Sequence, residues 1–271
     1  RPDIFSSIGL QNQNTKLRTN SVYLDWRTTY ENFSTSSLFK LVDQLLYSQQ
    51  TATDKSCLLN LGDSWHSYFP YKMQTSKRYD DSSFIGFLRY SFYRPRDIIM
   101  MLEFLKENAL EKHELNKVSH SFSDFDSSEF KRKLSDHLLG EIKDQISFYY
   151  TSDDYEFFLK FFELLKGQTR FNYDEYTAVH GNLIEFIKTT DKPVPRFMDT
   201  ANDFLQFLFD LNVICFIEDS DGDSPFIHWS FRDRNFSNLS PKVKEGVRYE
   251  IFYGLRRAVN SGRKYSKSVC K

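Results

Sequence analysis

The sequence predicts a mainly α chain with a small β component towards its C-terminal end, an α+β fold in which helices dominate. Three observations carry this expectation. Apolar residues recur at three- and four-residue spacing through most of the patterned segments. Ser, Thr, Asp and Asn precede several of those segments, where a helix N-terminus takes them. Strand-like runs are short, and two of them, "NVICFIE" and "FIHWSFR", lie close together late in the chain.

The elements follow in order. "NSVYLDW" (residues 20–26) is a β-type run. In "STSSLFKLVDQLLYSQQ", Leu38, Leu41, Val42 and Leu45 fall at i, i+3, i+4 and i+7, a helical stripe behind Ser/Thr caps. Residues 51–83 are polar and read as irregular, with Trp65, Phe69 and Tyr71 as anchors. "YRPRDIIMMLEFL" opens the next helix. Pro95 suits its first position, and Ile98, Met101, Leu102, Leu105 and Ala109 form its apolar stripe. The polar stretch 113–128 is the candidate domain boundary, and Asp126 with Glu129 resembles a capping box. A long helix over 128–149 carries Phe130, Leu134, Leu138 and Ile142 at four-residue spacing.

Next come "DDYEFFLKFFELLKG", a helix closed by Gly167, "NYDEYTAVHGNLIEFIKTT", and "DTANDFLQFLFDL" after the helix-breaking "DKPVPRF". Three helices followed by a β-hairpin is the order of a winged-helix module. The tail after Asn235 is basic and is expected to be helical through "VRYEIFYGLRRAV".

Composition bounds the function. With 271 residues the chain has room for two or three compact units. Hydrophobic content of 40% and 27 Phe residues supply large cores. A net charge of −1 gives no global attraction to nucleic acid or membrane, so any polyanion must meet a local patch. No apolar run approaches the ~20 residues that span a bilayer, so no membrane partner is expected. Cys57, Cys215 and Cys270 are far apart and odd in number. They point to a reducing, cytoplasmic compartment and away from a disulfide framework or structural zinc. Arg1 stands where a Met is usual, and "RPDIF" reads like the exit of a strand whose start is missing. The chain is therefore expected to be the C-terminal portion of something longer.

Chemistry-bearing motifs are sparse. None of the ten glycines sits in a phosphate-cradling loop, and no G-x-S-x-G, H-E-x-x-H or C-x-x-C occurs. No catalytic residue is assigned. "EDSDGDSP" fails as an EF-hand, because Gly222 is fourth from Asp219 and Ser230 is twelfth. A hairpin tip explains it better. The histidines at 66, 113, 120, 137, 180 and 228 lack metal spacing, and His228 reads as a packed strand residue. No metal is expected.

Arg94 and Arg96 are the informative pair. A helix N-terminus carries about half a positive charge, so cations there cost a few tenths to ~1 kcal/mol each. Either Arg96 pairs with Asp80, Asp81 or Asp97, or it reaches a phosphate held by another domain. "RPDIF", "NSVYLDW", a capped helix and "YRPRDII" together resemble the C-terminal half of bacterial P-loop ATPases related to STAND and origin-recognition AAA+ proteins. Pro95–Arg96 matches their sensor-2 dipeptide, and Arg1 with Asp3 matches the pair after their last core strand. The resemblance implies four parts. Residues 1–33 end an α/β nucleotide-binding domain and 34–124 form a helical lid. Residues 125–235 form a winged helix, and 236–271 a basic helix and tail. It also implies that Arg96, Arg94 and Arg1 sense ATP/Mg held by an upstream domain, with no cofactor inside this chain. Antiphage defence is a role the resemblance implies.

The third winged-helix helix carries Asp199, Asp203 and Asp210 and no Lys or Arg between them. Asn202 and Gln206 have the carboxamides that read adenine, but phosphate repulsion opposes docking. Protein contact or self-association is the expectation for this module. The tail holds Arg256, Arg257, Arg263, Lys264 and Lys267 as candidate polyanion ligands, with nucleic acid as one possible partner. The alternative to ATPase coupling is a stand-alone winged-helix module that binds DNA or protein and never meets nucleotide.

Overall fold

The computed structural model describes residues 24–50, 60–76, 79–114, 117–220, 225–235, 238 and 240–259, with side chains other than those of 74–81. It is mainly helical. The chain divides into two compact units, 24–134 and 135 onward, and the division falls between Leu134 and Ser135. That point lies past the polar stretch where the sequence pattern placed a boundary.

In the first unit residues 24–26 have no regular structure, so the described end of "NSVYLDW" is not a strand. Residues 20–23 lie outside the described part. Helix α1 (Ser37–Ser48) starts at Ser36, whose hydroxyl accepts the Phe39 N–H at 3.1 Å. Its buried stripe is Leu38, Phe39, Val42 and Leu46, while Leu41 is exposed. The helix is therefore rolled from the stripe that Leu41 and Leu45 suggested.

The roll buries Asp43, whose carboxylate accepts the N–H groups of Gly62 (2.9 Å) and Trp65 (2.7 Å). This long-range cap starts α2 (Asp63–Tyr68), and Gly62 before it has φ 96°, which suits glycine. A hairpin follows, β1 (Lys72–Ser76) with β2 (Tyr79–Ser82). Residues 60–76 and 79–83 are thus largely structured where polar composition suggested irregular chain. The cause is tertiary: a carboxylate some twenty positions away supplies the cap.

Helices α3 (Ser83–Arg89) and α4 (Pro95–Glu111) complete the frame. Trp65 centres the core, with ring centroids 4.4 Å from Phe69 and 4.9 Å from both Phe84 and Phe87. Its indole N–H donates to Ser83 Oγ at 2.9 Å, which satisfies the polar edge of a ring that is 3% exposed. The stretch around 121 carries the short α5 (Phe122–Phe125), closed by a Ser121–Asp124 capping box. Helix α6 (Ser128–Ser147) follows. Ser127, not Asp126, caps it by accepting the Phe130 N–H at 3.2 Å.

In the second unit α6 continues with Leu138, Ile142 and Ile146 buried at the expected spacing. Then come α7 (Ser152–Leu164), β3 (Arg170–Asn172), α8 (Tyr173–Lys188) and α9 (Ala201–Asp210). Capping boxes at Thr151/Asp154 and Asn172/Glu175 start α7 and α8. Lys166 and Gly167, at φ 51° and 82°, end α7 as the glycine predicted. The core closes on Phe161, which meets Phe204 at 5.0 Å and Tyr176 at 5.9 Å.

The strands are β4 (Ile214–Glu218), β5 (Phe226–His228) and β6 (Arg248–Ile251), with the short α10 (Ser230–Asp233) after β5. The antiparallel sheet runs β3-β6-β4-β5. "FIHWSFR" is therefore a strand only over Phe226–His228. The segment expected to be a C-terminal helix is instead β6 followed by turns through 259. Ile251, Leu255 and Val259 mimic helical spacing. Between β3 and β4, however, the backbone of 248–251 is paired on both sides, and that pairing prevails.

Candidate functional site

The N-terminus of α4 was the place to look for a nucleotide sensor. Pro95 takes the first helical position and Arg94 is the N-cap. Arg94 turns inward. Its guanidinium meets the Asp97 carboxylate at 2.5 and 3.1 Å and lies 5.1 Å from the Phe92 ring centre. Asp97 has no exposed side-chain surface and also accepts the Phe92 N–H at 2.7 Å. The pair closes a tight bend in which Tyr93 has φ 55°. Arg94 is thus held by an internal carboxylate. Arg96, at the second helical position, is exposed. Arg1 lies outside the described residues.

The second place is α9, third helix of the expected winged-helix series. Thr200 caps it by accepting the Asp203 N–H at 3.1 Å. Phe204, Leu205, Leu208 and Phe209 face the core and are fully buried. Asn202, Gln206 and Asp210 recur at four-residue spacing and form a polar stripe on another face. Each member is engaged within the chain. Asn202 Oδ1 accepts from the Tyr173 hydroxyl at 2.7 Å. The Gln206 amide group donates to Pro241 O and Asp210 Oδ1, at 3.1 and 3.0 Å, and its Oε1 accepts the Val243 N–H at 3.1 Å. Burial pushes the Asp210 carboxyl above its usual range. The two carboxamides that resembled adenine readers are therefore spent on the chain's own groups.

The basic tail is also partly committed. Arg256 pairs with the buried Glu250 and donates from Nε to Ile251 O at 3.2 Å. Glu250 is 2% exposed and takes a second cation, Arg170 Nε, at 3.1 Å. Arg256 is thus already engaged by a buried carboxylate. Lys244 pairs with Glu218 at 2.5 Å, and Arg248 pairs with Asp219. Arg257 is exposed. Arg263, Lys264 and Lys267 lie outside the described residues.

His228 stacks on Phe216, with centroids 4.5 Å apart and planes 9° apart. Its ring nitrogens lie 3.2 Å from Glu218 Oε2 and 3.2 Å from Asp233 Oδ2. It packs in its strand as expected and ties β5 to β4 and α10. Among the described residues no three His, Cys, Asp or Glu side chains are disposed to hold a metal ion. No helix among them is long and apolar enough to cross a membrane. The Cys215 thiol is buried and pushed up to about 12 by that burial, far from the range of a reactive thiolate.

Sequence reasoning missed the roles of two buried carboxylates, Asp43 and Glu250, each 5% exposed or less. Asp97 was one candidate partner of Arg96 in the sequence, and the structure shows it with Arg94, three residues before it. Asp43 and Glu250 take partners on other elements. Comparison with protein-family models, curated proteins and solved structures finds no match.

Proposed function

We propose that this chain is a regulatory and coupling region that acts through protein contacts, with its second unit working as a winged-helix-type module. The element order α7-β3-α8-α9-β4-β6 supports the reading. The first strand pairs with the last, and the last with the second, as in a winged helix. On this view β5 and α10 enlarge the wing between β4 and β6. The observation that carries the preference for protein over nucleic acid is α9. It has no Lys or Arg between Ala201 and Asp210, and its polar stripe is engaged internally.

The ATPase half of the proposal rests on Arg96. Arg96 is exposed in the first turn of α4, and its planar fork suits a terminal phosphate. ATP and Mg would be held by a P-loop domain upstream, and the second unit would relay its state to a protein partner. Two experiments test this. In the full-length protein, Arg96→Ala lowers ATP affinity or hydrolysis; unchanged values remove the sensor role. A gel shift of this chain on duplex DNA shows little binding at low salt. Tight binding that falls steeply with added salt would instead support a stand-alone DNA-binding module.

A further inference from the structure

Residues 240–247 run from the wing towards β6 without regular structure and cross α9. Pro241 is buried, Val243 is half-buried, and Lys242 and Lys244 are exposed. One carboxamide, Gln206, takes both the Pro241 carbonyl and the Val243 N–H, each at 3.1 Å. A carboxamide that takes a carbonyl and the N–H two residues further on engages the main chain as a neighbouring parallel strand does. Such contacts read backbone, not side-chain identity. Further ties are the Tyr249 hydroxyl donating to Lys244 O at 2.8 Å, Lys244 on Glu218 at 2.5 Å, and a hydrogen bond between Tyr173 and Glu245. The receiving surface presents Asp210, Glu218 and Gln206, and the segment it receives is Pro-Lys-Val-Lys. The strap is thus held by side chains against an acidic, amide-bearing face, while β6 beside it is held by ladders on both edges.

We propose that the Gln206 stripe of α9 is a receptor for an extended, lysine-bearing segment of a partner protein, and that the chain's own residues 241–243 fill it as an autoinhibitory strap. The occupant defines the chemistry: a buried proline, an exposed lysine, then a small apolar residue whose N–H faces Gln206. A partner segment of this type enters when the strap lifts. The inference rests on the protein-contact reading of the second unit and names its ligand class.

The test uses the whole chain and a labelled peptide with the sequence of residues 240–246, titrated to millimolar concentration. The unaltered chain is compared with the double variant Pro241→Gly/Val243→Gly, which loosens the strap and leaves α9 intact. The strap variant should bind the peptide at least tenfold tighter than the unaltered chain. Adding Gln206→Ala should return it to the unaltered level. Equal affinity with and without the strap substitutions, or binding indifferent to Gln206→Ala, overturns the proposal. Hydrogen exchange on the unaltered chain gives a check that needs no variant. The amides of 243–245 should exchange at least tenfold faster than those of 249–251. Equal protection would mean that strap and strand open as one and would also overturn it. Either failure leaves the protein-contact reading standing, since the DNA gel shift tests that separately.

Discussion

The clamp at the start of α4 makes a quantitative claim about Asp97. Asp97→Ala removes the acceptor of the Phe92 N–H, bonded at 2.7 Å in a residue 7% exposed. An orphaned buried donor costs roughly 1–3 kcal/mol. The Arg94 pair adds ~1 kcal/mol or less, because its guanidinium side is 39% exposed and solvent recovers it. Loss of an acid from the first turn adds about 0.5 kcal/mol. The bend at Tyr93, φ 55°, loses its closure as well. The sum is about 2–4 kcal/mol. Urea unfolding followed by tryptophan fluorescence, with Trp65 in the first unit's core, reads it out. At a slope of ~1–3 kcal/mol per molar urea, the midpoint falls by about 0.7–4 M. Asp97→Asn keeps an acceptor for Phe92 and should lose roughly half as much. Arg96→Ala changes an exposed residue and should cost less than Asp97→Ala. If Asp97→Ala and Arg96→Ala shift the midpoint equally, the assignment of Arg94–Asp97 as the structural pair is wrong.

Other outcomes follow from the same geometry. His180 is buried with Nε2 3.2 Å from Met198 O, and burial holds its folded pKa below the ordinary 6.5. A depressed histidine stabilises the fold above pH ~6.5 and loses that contribution as pH falls towards the folded value. Unfolding midpoints of His180→Gln should therefore depend less steeply on pH below 6.5 than those of the unaltered chain. Leu138→Ala, at a site with no exposed surface, should cost ~2–5 kcal/mol in the second unit. A Cβ on Gly254 would come within 2.5 Å of Leu138 Cδ1, so Gly254→Ala should cost ~1–3 kcal/mol. The double variant should cost less than the two single losses together, and strict additivity by thermal melting would contradict the contact.

What the sequence determined by itself is the helical part. Helices α6 to α9 were legible because their information is local. A capping Ser, Thr or Asn, an apolar residue every third or fourth position and a terminal glycine all act within one helix. The long stripe from Phe130 to Ile142 is buried as its spacing said. The β4–β5 pair was legible for the same reason, as two short β-rich runs joined by turn residues. What only tertiary structure decided concerns partners far apart in sequence. Asp43 caps α2 across the residues that composition marked as irregular. Strand β6 forms because β3 and β4 flank it, although its own apolar spacing suits a helix. That Arg94 meets Asp97 across the bend at Tyr93 was likewise a matter of tertiary structure, since the left-handed backbone at a tyrosine is a state its residue type does not specify. The amide stripe of α9 was visible, but its occupation by residues 241–243 was not, because a side chain that reads backbone leaves no mark in the segment it holds.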